Sequence, residues 1–254
     1  MTQEAPLVIA EVHGRVGCLT LNRPKALNAL SLEMIRDLTA HLLAWRDDPA
    51  VVAVAIRGHS KEGPFGAFCA GGDIRFFHQA ALAGDPRLDD FFTEEYALNH
   101  VVHTYPKPYI AFMDGICMGG GMGISQGASL RVVTERSKLA MPETNIGLFP
   151  DVGGGYFLSR CTGRLGEYLA LTGHVLQGKD AMAAGLADGF IESGRLAGLW
   201  NSLINTPFEN GEAVQRWVAN HLQTTPPKAP WPAAEIDRIF TQTKVREIVA
   251  TLEG

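Results

Sequence analysis

The sequence predicts an α/β fold. Three observations carry that prediction. Segments of strand character alternate with segments of helical period; residues 51–56 (VVAVAI) and 109–113 are unbroken apolar runs of the kind buried on both faces of a parallel sheet; and a glycine turn soon after the second run opens a helix.

Taken in order, residues 7–12 and 16–21 read as strands joined by the turn His13-Gly14-Arg15, and Asn22-Arg23-Pro24 ends the second. Ser31 caps a helix on which Leu32, Ile35, Leu38, Leu42 and Trp45 recur at helical spacing, ending near Asp47-Asp48-Pro49. After the strand 51–56 comes a Gly/Pro-rich loop over 58–66, then FCAGGDIRFF, where Asp73 is placed to cap another helix. Residues 87–104 form a helix with Leu88, Phe91, Phe92, Tyr96, Leu98 and Val102 as its candidate buried side. A strand at 109–113, a helix at 119–126 and strands at 130–134 and 138–140 follow, then helices at 165–172, 179–184, 196–204 and 212–222. The four prolines of residues 225–232 (TPPKAPWP) mark a linker or extended arm, and a last amphipathic helix, 234–252, is broken near 241–243. Strand signals stop after about Arg195, which divides the chain into an α/β core, 1–195, and a helical C-terminal region, 196–254.

Composition narrows the function. Hydrophobic residues make up 46% and charged residues 19% of the 254, enough for a sizeable core. The net charge of −5 and the lack of a basic run argue against a nucleic-acid partner. The N-terminus shows no signal-peptide pattern, and no apolar stretch reaches the roughly 18 residues that span a bilayer, so no membrane partner and a cytoplasmic location are expected. Cys18, Cys69, Cys117 and Cys161 are scattered and read as reduced, buried thiols; with no Cys/His cluster, no metal site is expected.

Four features carry chemistry. Gly119-Gly120-Gly121 opens a helix, whose first N–H groups are free to bind an anion or a developing oxyanion; locally it is equally a tight strand-to-helix turn. Gly71-Gly72, before Asp73, is a second such start, so each turn can supply one donor. Glu143 and Asp151 are isolated carboxylates eight residues apart, able to take separate acid and base roles if they share a cleft, and otherwise simply solvated. Glu94-Glu95 interrupts an otherwise apolar helix and by default lies on its solvated face.

FCAGGDIR, DGICMGGGMGIS and MPETNIGLFPDVGGGYFLSR, together with FFTEEYALNH, resemble the enoyl-CoA hydratase/isomerase (crotonase) superfamily over about residues 8–253, and within it the branch of CoA-thioester hydrolases. The resemblance implies a spiral of ββα units with a helical C-terminal region, shorter here than in hydrolase-type relatives, as in a short variant or a fragment. It implies an acyl-CoA substrate, a short branched 3-hydroxyacyl thioester, with coenzyme A part of the substrate and no separate cofactor. It places the oxyanion donors on Gly72 and Gly120, the catalytic carboxylates on Glu143 and Asp151, and a substrate-binding glutamate on Glu95. It implies a homo-oligomer, trimer or dimer. Arg23, Lys25 and Arg75 are candidates for the CoA phosphates. Glu143 would attack the thioester carbonyl or activate water, and Asp151 would orient the water, thiol or substrate hydroxyl. Hydratases of the superfamily carry a second glutamate at the position held here by Gly123, so the resemblance favours hydrolysis. The alternatives are an enoyl-CoA isomerase or hydratase of the same fold, or a catalytically impaired acyl-CoA-binding protein.

Overall fold

The computed structural model describes residues 5–253. β1 (Val8–His13) and β2 (Val16–Leu21) form the expected hairpin, with Val8 opposite Leu21 and His13 opposite Val16. α1 (Leu32–Asp47) is capped by Ser31, whose side chain accepts from the Met34 N–H, and it buries Ile35, Leu38, Leu42 and Trp45 as its spacing predicts. β3 (Ala53–Ser60) starts later and runs further than the apolar run suggests. Val51 and Val52 spend their N–H groups on Asp48 and Arg15 carbonyls, and the segment read as a loop folds back as the short β4 (Gly63–Pro64).

α2 (Ile74–Ala83) and α3 (Arg87–His103) lead to β5 (Tyr109–Phe112), β6 (Ile116–Met118) and α4 (Gly120–Gln126). β7 (Leu130–Val133) and β8 (Lys138–Ala140) come next, then α5 (Gly154–Leu158), α6 (Leu165–Thr172), β9 (Leu176–Gln177), α7 (Asp180–Ala183) and β10 (Gly189–Phe190). The large sheet has the order β1-β2-β3-β5-β7-β10 and is parallel from β2 onward. In β3, Val54 and Ile56 face one core cluster and Ala53 and Ala55 the other; in β5, Tyr109 and Ala111 face the first, Ile110 and Phe112 the second. Burial on both faces is why these strands read as unbroken apolar runs.

A second, small sheet runs β6-β8-β9, and a bridge between Cys69 and Cys117 adds the segment before α2 to it. Strand in the large sheet, short strand in the small one, then helix: that unit recurs through β3–α2, β5–α4 and β7–α5, and it is the expected ββα spiral. β6, β9 and β10 are absent from the sequence reading because runs of two or three residues show no periodicity.

α8 (Ser193–Asn205) and α9 (Gly211–Ala219) cover the second face of the large sheet through Leu196, Leu199, Trp200, Val214 and Val218. Residues 225–232 have no regular structure. The terminal helix is divided as expected, into α10 (Ala233–Phe240) and α11 (Val245–Glu253).

Candidate active site

The small sheet assembles the site. Cys69 pairs with Cys117, and Met118 with Ala140. Gly72 and Gly120 each lie three residues beyond the first pair, and Glu143 lies three beyond Ala140. Three neighbouring segments therefore end together and deliver two glycine turns and one carboxylate to the same place.

Gly119 has φ 48° and ψ −118°, a conformation that side-chain-bearing residues rarely adopt, and its N–H donates to the Ala140 carbonyl at 3.2 Å. A Cβ at Gly119 would stand 2.8 Å from Glu143 Oε1, and one at Gly120 would overlap Glu95 Oε1. Each glycine thus makes room for one carboxyl group. Opposite, Leu30 donates to the Gly71 carbonyl (2.8 Å) and accepts from Asp73 (3.0 Å), which holds Gly72 between them. Asp73 caps α2, as expected, accepting from the Arg75 and Phe76 N–H groups at 3.2 Å. Among the described residues, the N–H groups of Gly72 and Gly120 donate to no protein atom. Of the cation candidates, Arg23 is engaged, donating to Asp73 Oδ2 (2.7 Å) and the Ala29 carbonyl (2.9 Å). Lys25 and Arg75 are exposed.

The carboxylates are buried to different degrees. Glu143 opens a 3-10 turn (Glu143–Ile146) and is 7% exposed; burial, opposed by its own backbone N–H and aided by the nearby Asp151 charge, raises its pKa to about 7. Glu95 is 2% exposed, and burial, then the charges of Asp151 and Glu143, raises it to about 8. The default placement of Glu94-Glu95 on a solvated face is therefore half wrong. Glu94 does reach outward, to Arg36, but Glu95 turns inward in register with Phe91, Leu98 and Val102. Tyr96, expected on the buried side, is exposed, and Leu88 is half-buried. The Tyr96 hydroxyl donates to Asp151 Oδ2 at 2.7 Å, and Asp151 is half-buried.

Among the described residues, the buried side-chain polar atoms without a hydrogen-bond partner belong to only four residues: Glu95, Asn99, Glu143 and Thr144. Buried polar atoms are rarely left unpaired. All four residues come from α3 or from the Glu143 turn.

Position 123 is filled from outside. A Cβ there would lie 2.8 Å from Asn99 Oδ1 and 2.8 Å from Val152 Cβ. Val152 itself sits at φ 42°, unusual for a β-branched residue, right beside Asp151. Asn99, Val152, Tyr96 and Asp151 line a cavity of about 690 Å³. Sequence reasoning missed Asn99 and the link from Tyr96 to Asp151. The available signal was the α3 stripe, since Asn99 stands four residues after Glu95.

A ββα spiral with a site built where the strands of a small second sheet end defines a distinct class of α/β protein. The chain belongs to the enoyl-CoA hydratase/isomerase family, whose model matches residues 16–254. It is 46% identical over 246 residues to the mitochondrial 3-hydroxyisobutyryl-CoA hydrolase of Xenopus laevis, covering 94% of this chain and 63% of that protein. Against the Homo sapiens protein of the same name it is 46% identical over 220 residues, 87% of this chain and 56% of that one. Among solved structures it is similar to a carnitinyl-CoA dehydratase from Mycobacterium thermoresistibile (TM-score 0.86, 40% identity, 98% of this chain and 71% of that one). It is also similar to an enoyl-CoA hydratase from Rhodobacter sphaeroides 2.4.1 (TM-score 0.82, 38% identity, 98% and 70%). The chain spans between 49% and 65% of the length of the curated relatives it matches. Those relatives are named mitochondrial, which differs from the cytoplasmic expectation. Among the described residues, no helix is long and apolar enough to cross a membrane.

Proposed function

We propose that this chain carries the catalytic site of a CoA-thioester hydrolase acting on a short branched 3-hydroxyacyl-CoA such as 3-hydroxyisobutyryl-CoA. The observation that carries the reading is the concentration of unpaired polar groups around the two glycine turns: the Gly72 and Gly120 N–H groups have no protein acceptor, the buried Glu143 and Glu95 carboxyls lie against Gly119 and Gly120, and the unpaired Asn99 carboxamide follows one helical turn after Glu95. Two backbone donors suit the carbonyl oxygen of a thioester, which gains negative charge as a nucleophile adds; one such donor is worth roughly 10²–10³ in rate. With a pKa near 7, Glu143 is available as carboxylate at neutral pH. It attacks the carbonyl carbon to give a mixed anhydride, or takes a proton from water as the water attacks. On the first route the C–S bond breaks as the anhydride forms, the sulfur gains a proton and leaves as free CoA, and water then cleaves the anhydride to release the carboxylic acid and restore Glu143. On the second the water oxygen enters the acid directly as the C–S bond breaks and the sulfur takes the proton. Asp151, held by Tyr96, orients the water, the thiol or the substrate hydroxyl. Glu95, neutral below about pH 8, places no negative charge against the developing oxyanion.

The second reading, hydration of an enoyl-CoA, is favoured by the names of the two similar solved structures. The geometry at position 123 opposes it. Hydration uses a carboxylate there, and Asn99 and Val152 occupy the space one would need. A small panel of acyl-CoA thioesters separates the two readings. Release of free thiol from a 3-hydroxyacyl-CoA is expected, and loss of enoyl absorbance without thiol release overturns the assignment. In the same assay, kcat/KM is expected to rise with pH along a limb centred near 7, as Glu143 ionises. A rate flat from pH 5 to 8 contradicts its role. Tyr96→Phe is expected to lower kcat about 10-fold by releasing Asp151 from a charge-assisted hydrogen bond, with little change in KM. A homo-oligomer goes with this reading; light scattering tests it.

A further inference from the structure

We propose that Asn99 is the specificity residue of this site and that its carboxamide binds the 3-hydroxyl of the acyl group. The inference rests on the reading of the site as one for 3-hydroxyacyl-CoA. Asn99 lies on α3 one turn beyond Glu95 and three residues beyond Tyr96. Its carboxamide lies against the bare backbone of Gly123, with Oδ1 2.8 Å and Nδ2 3.0 Å from where a Cβ would be. Both Oδ1 and Nδ2 are buried, and neither has a hydrogen-bond partner among the described residues. Asn99 shares the wall of the cavity with Tyr96, Asp151 and Val152.

A carboxamide left unpaired at both ends costs free energy that a correctly placed ligand group returns. The chemistry of the missing partner follows from the pair of atoms. A carbonyl, carboxylate or phosphate oxygen satisfies only Nδ2, and an ammonium satisfies only Oδ1. A hydroxyl satisfies both, accepting from the N–H and donating to the C=O. An alcohol is also what separates a 3-hydroxyacyl thioester from its saturated counterpart. Sites built to hydrogen-bond a substrate hydroxyl reject the analogue lacking it far more strongly than apolar pockets reject an extra methylene, because the protein groups are then left unpaired.

The test compares 3-hydroxyisobutyryl-CoA with isobutyryl-CoA, which differ by that hydroxyl alone. Binding is measured by calorimetry on the Glu143→Gln protein, so that the thioesters are not consumed, with and without Asn99→Leu. Leucine matches asparagine in size and removes both polar atoms. Without the Asn99 change, the hydroxylated thioester is expected to bind at least about 10-fold tighter. With Asn99→Leu the ratio is expected to fall to about 1, through weaker binding of the hydroxylated compound. Asn99→Ala supplies the same comparison if the leucine variant does not fold, and binding of free CoA reports an intact fold. A ratio near 1 before the Asn99 change, or a ratio that survives both variants, overturns the proposal. Thiol release by the protein with Glu143 intact is scored separately. Turnover with a ratio indifferent to Asn99 removes this assignment and keeps the hydrolase reading. An Asn99-dependent ratio with no turnover of either thioester does the reverse.

Discussion

Glu143→Gln is expected to lower thioester turnover by at least about 10³-fold while leaving acyl-CoA binding nearly intact. The asymmetry follows from where the side chain sits. Glu143 Oε1 packs against Gly119, whose backbone conformation and bond to the Ala140 carbonyl fix the turn that also presents the Gly120 N–H. Glutamine fills the same space, so the turn, the oxyanion donors and the cavity wall survive. What is lost is the ionisable group. An amide neither takes a proton from water near neutral pH nor forms an anhydride, so both chemical routes close together. Free-thiol assays and calorimetry on one sample give the two halves of the result. Turnover within tenfold of the unsubstituted protein sinks the assignment of Glu143. Joint loss of turnover and binding shows instead that the turn collapsed.

The same substitution tests the electrostatics. Glu143 is one of the two charges that raise Glu95. With it neutralised, the Glu95 pKa should move down from about 8 toward the ordinary carboxylate range. It should not return fully, because burial is the larger cause and Asp151 stays.

The central strands β3 and β5 of the large sheet were legible because their burial is two-sided. Val54 and Ile56 face one core and Ala53 and Ala55 the other, which leaves no polar position to interrupt the run. Both glycine turns were legible as helix starts, since Asp73 is a good cap and Gly119–Gly121 is dense in glycine. Their adjacency was not. It depends on Cys69 pairing with Cys117, a single bridge between segments 48 residues apart, and no local pattern encodes it. The family resemblance supplied Gly72, Gly120, Glu95, Glu143 and Asp151 as a set, and the fold brings their surroundings together. Glu95 could have been read without it. It stands four residues after Phe91 and three before Leu98, on the buried stripe, while Glu94 is one step off and pairs with Arg36. Tyr96 misled for the opposite reason: an aromatic side chain suggests core, yet this one edges a cavity and uses its hydroxyl on Asp151.

Glu95→Gln is expected to flatten the decline of stability with pH. In the folded protein Glu95 holds its proton up to about pH 8, whereas in the unfolded chain it releases it near 4.5. Between those values the folded state binds more protons than the unfolded one, so the free energy of unfolding falls as pH rises. The cost is absent below about pH 4, accumulates through the window and is complete above about 8. It reaches a few kcal/mol, because each tenfold difference in proton affinity between the two states is worth about 1.4 kcal/mol. Glutamine keeps the shape and stays neutral throughout. Denaturant unfolding should therefore give nearly equal stabilities for the two proteins at about pH 4.5, and an advantage of a few kcal/mol to the variant at about pH 8.5. Glu143 contributes a smaller decline of the same sign, with its upper end near 7, and it remains in both proteins. The difference between the two curves isolates Glu95. Parallel curves across this range mean that Glu95 ionises at its ordinary pKa in the folded state. They would remove the argument that a neutral acid stands beside the oxyanion donors.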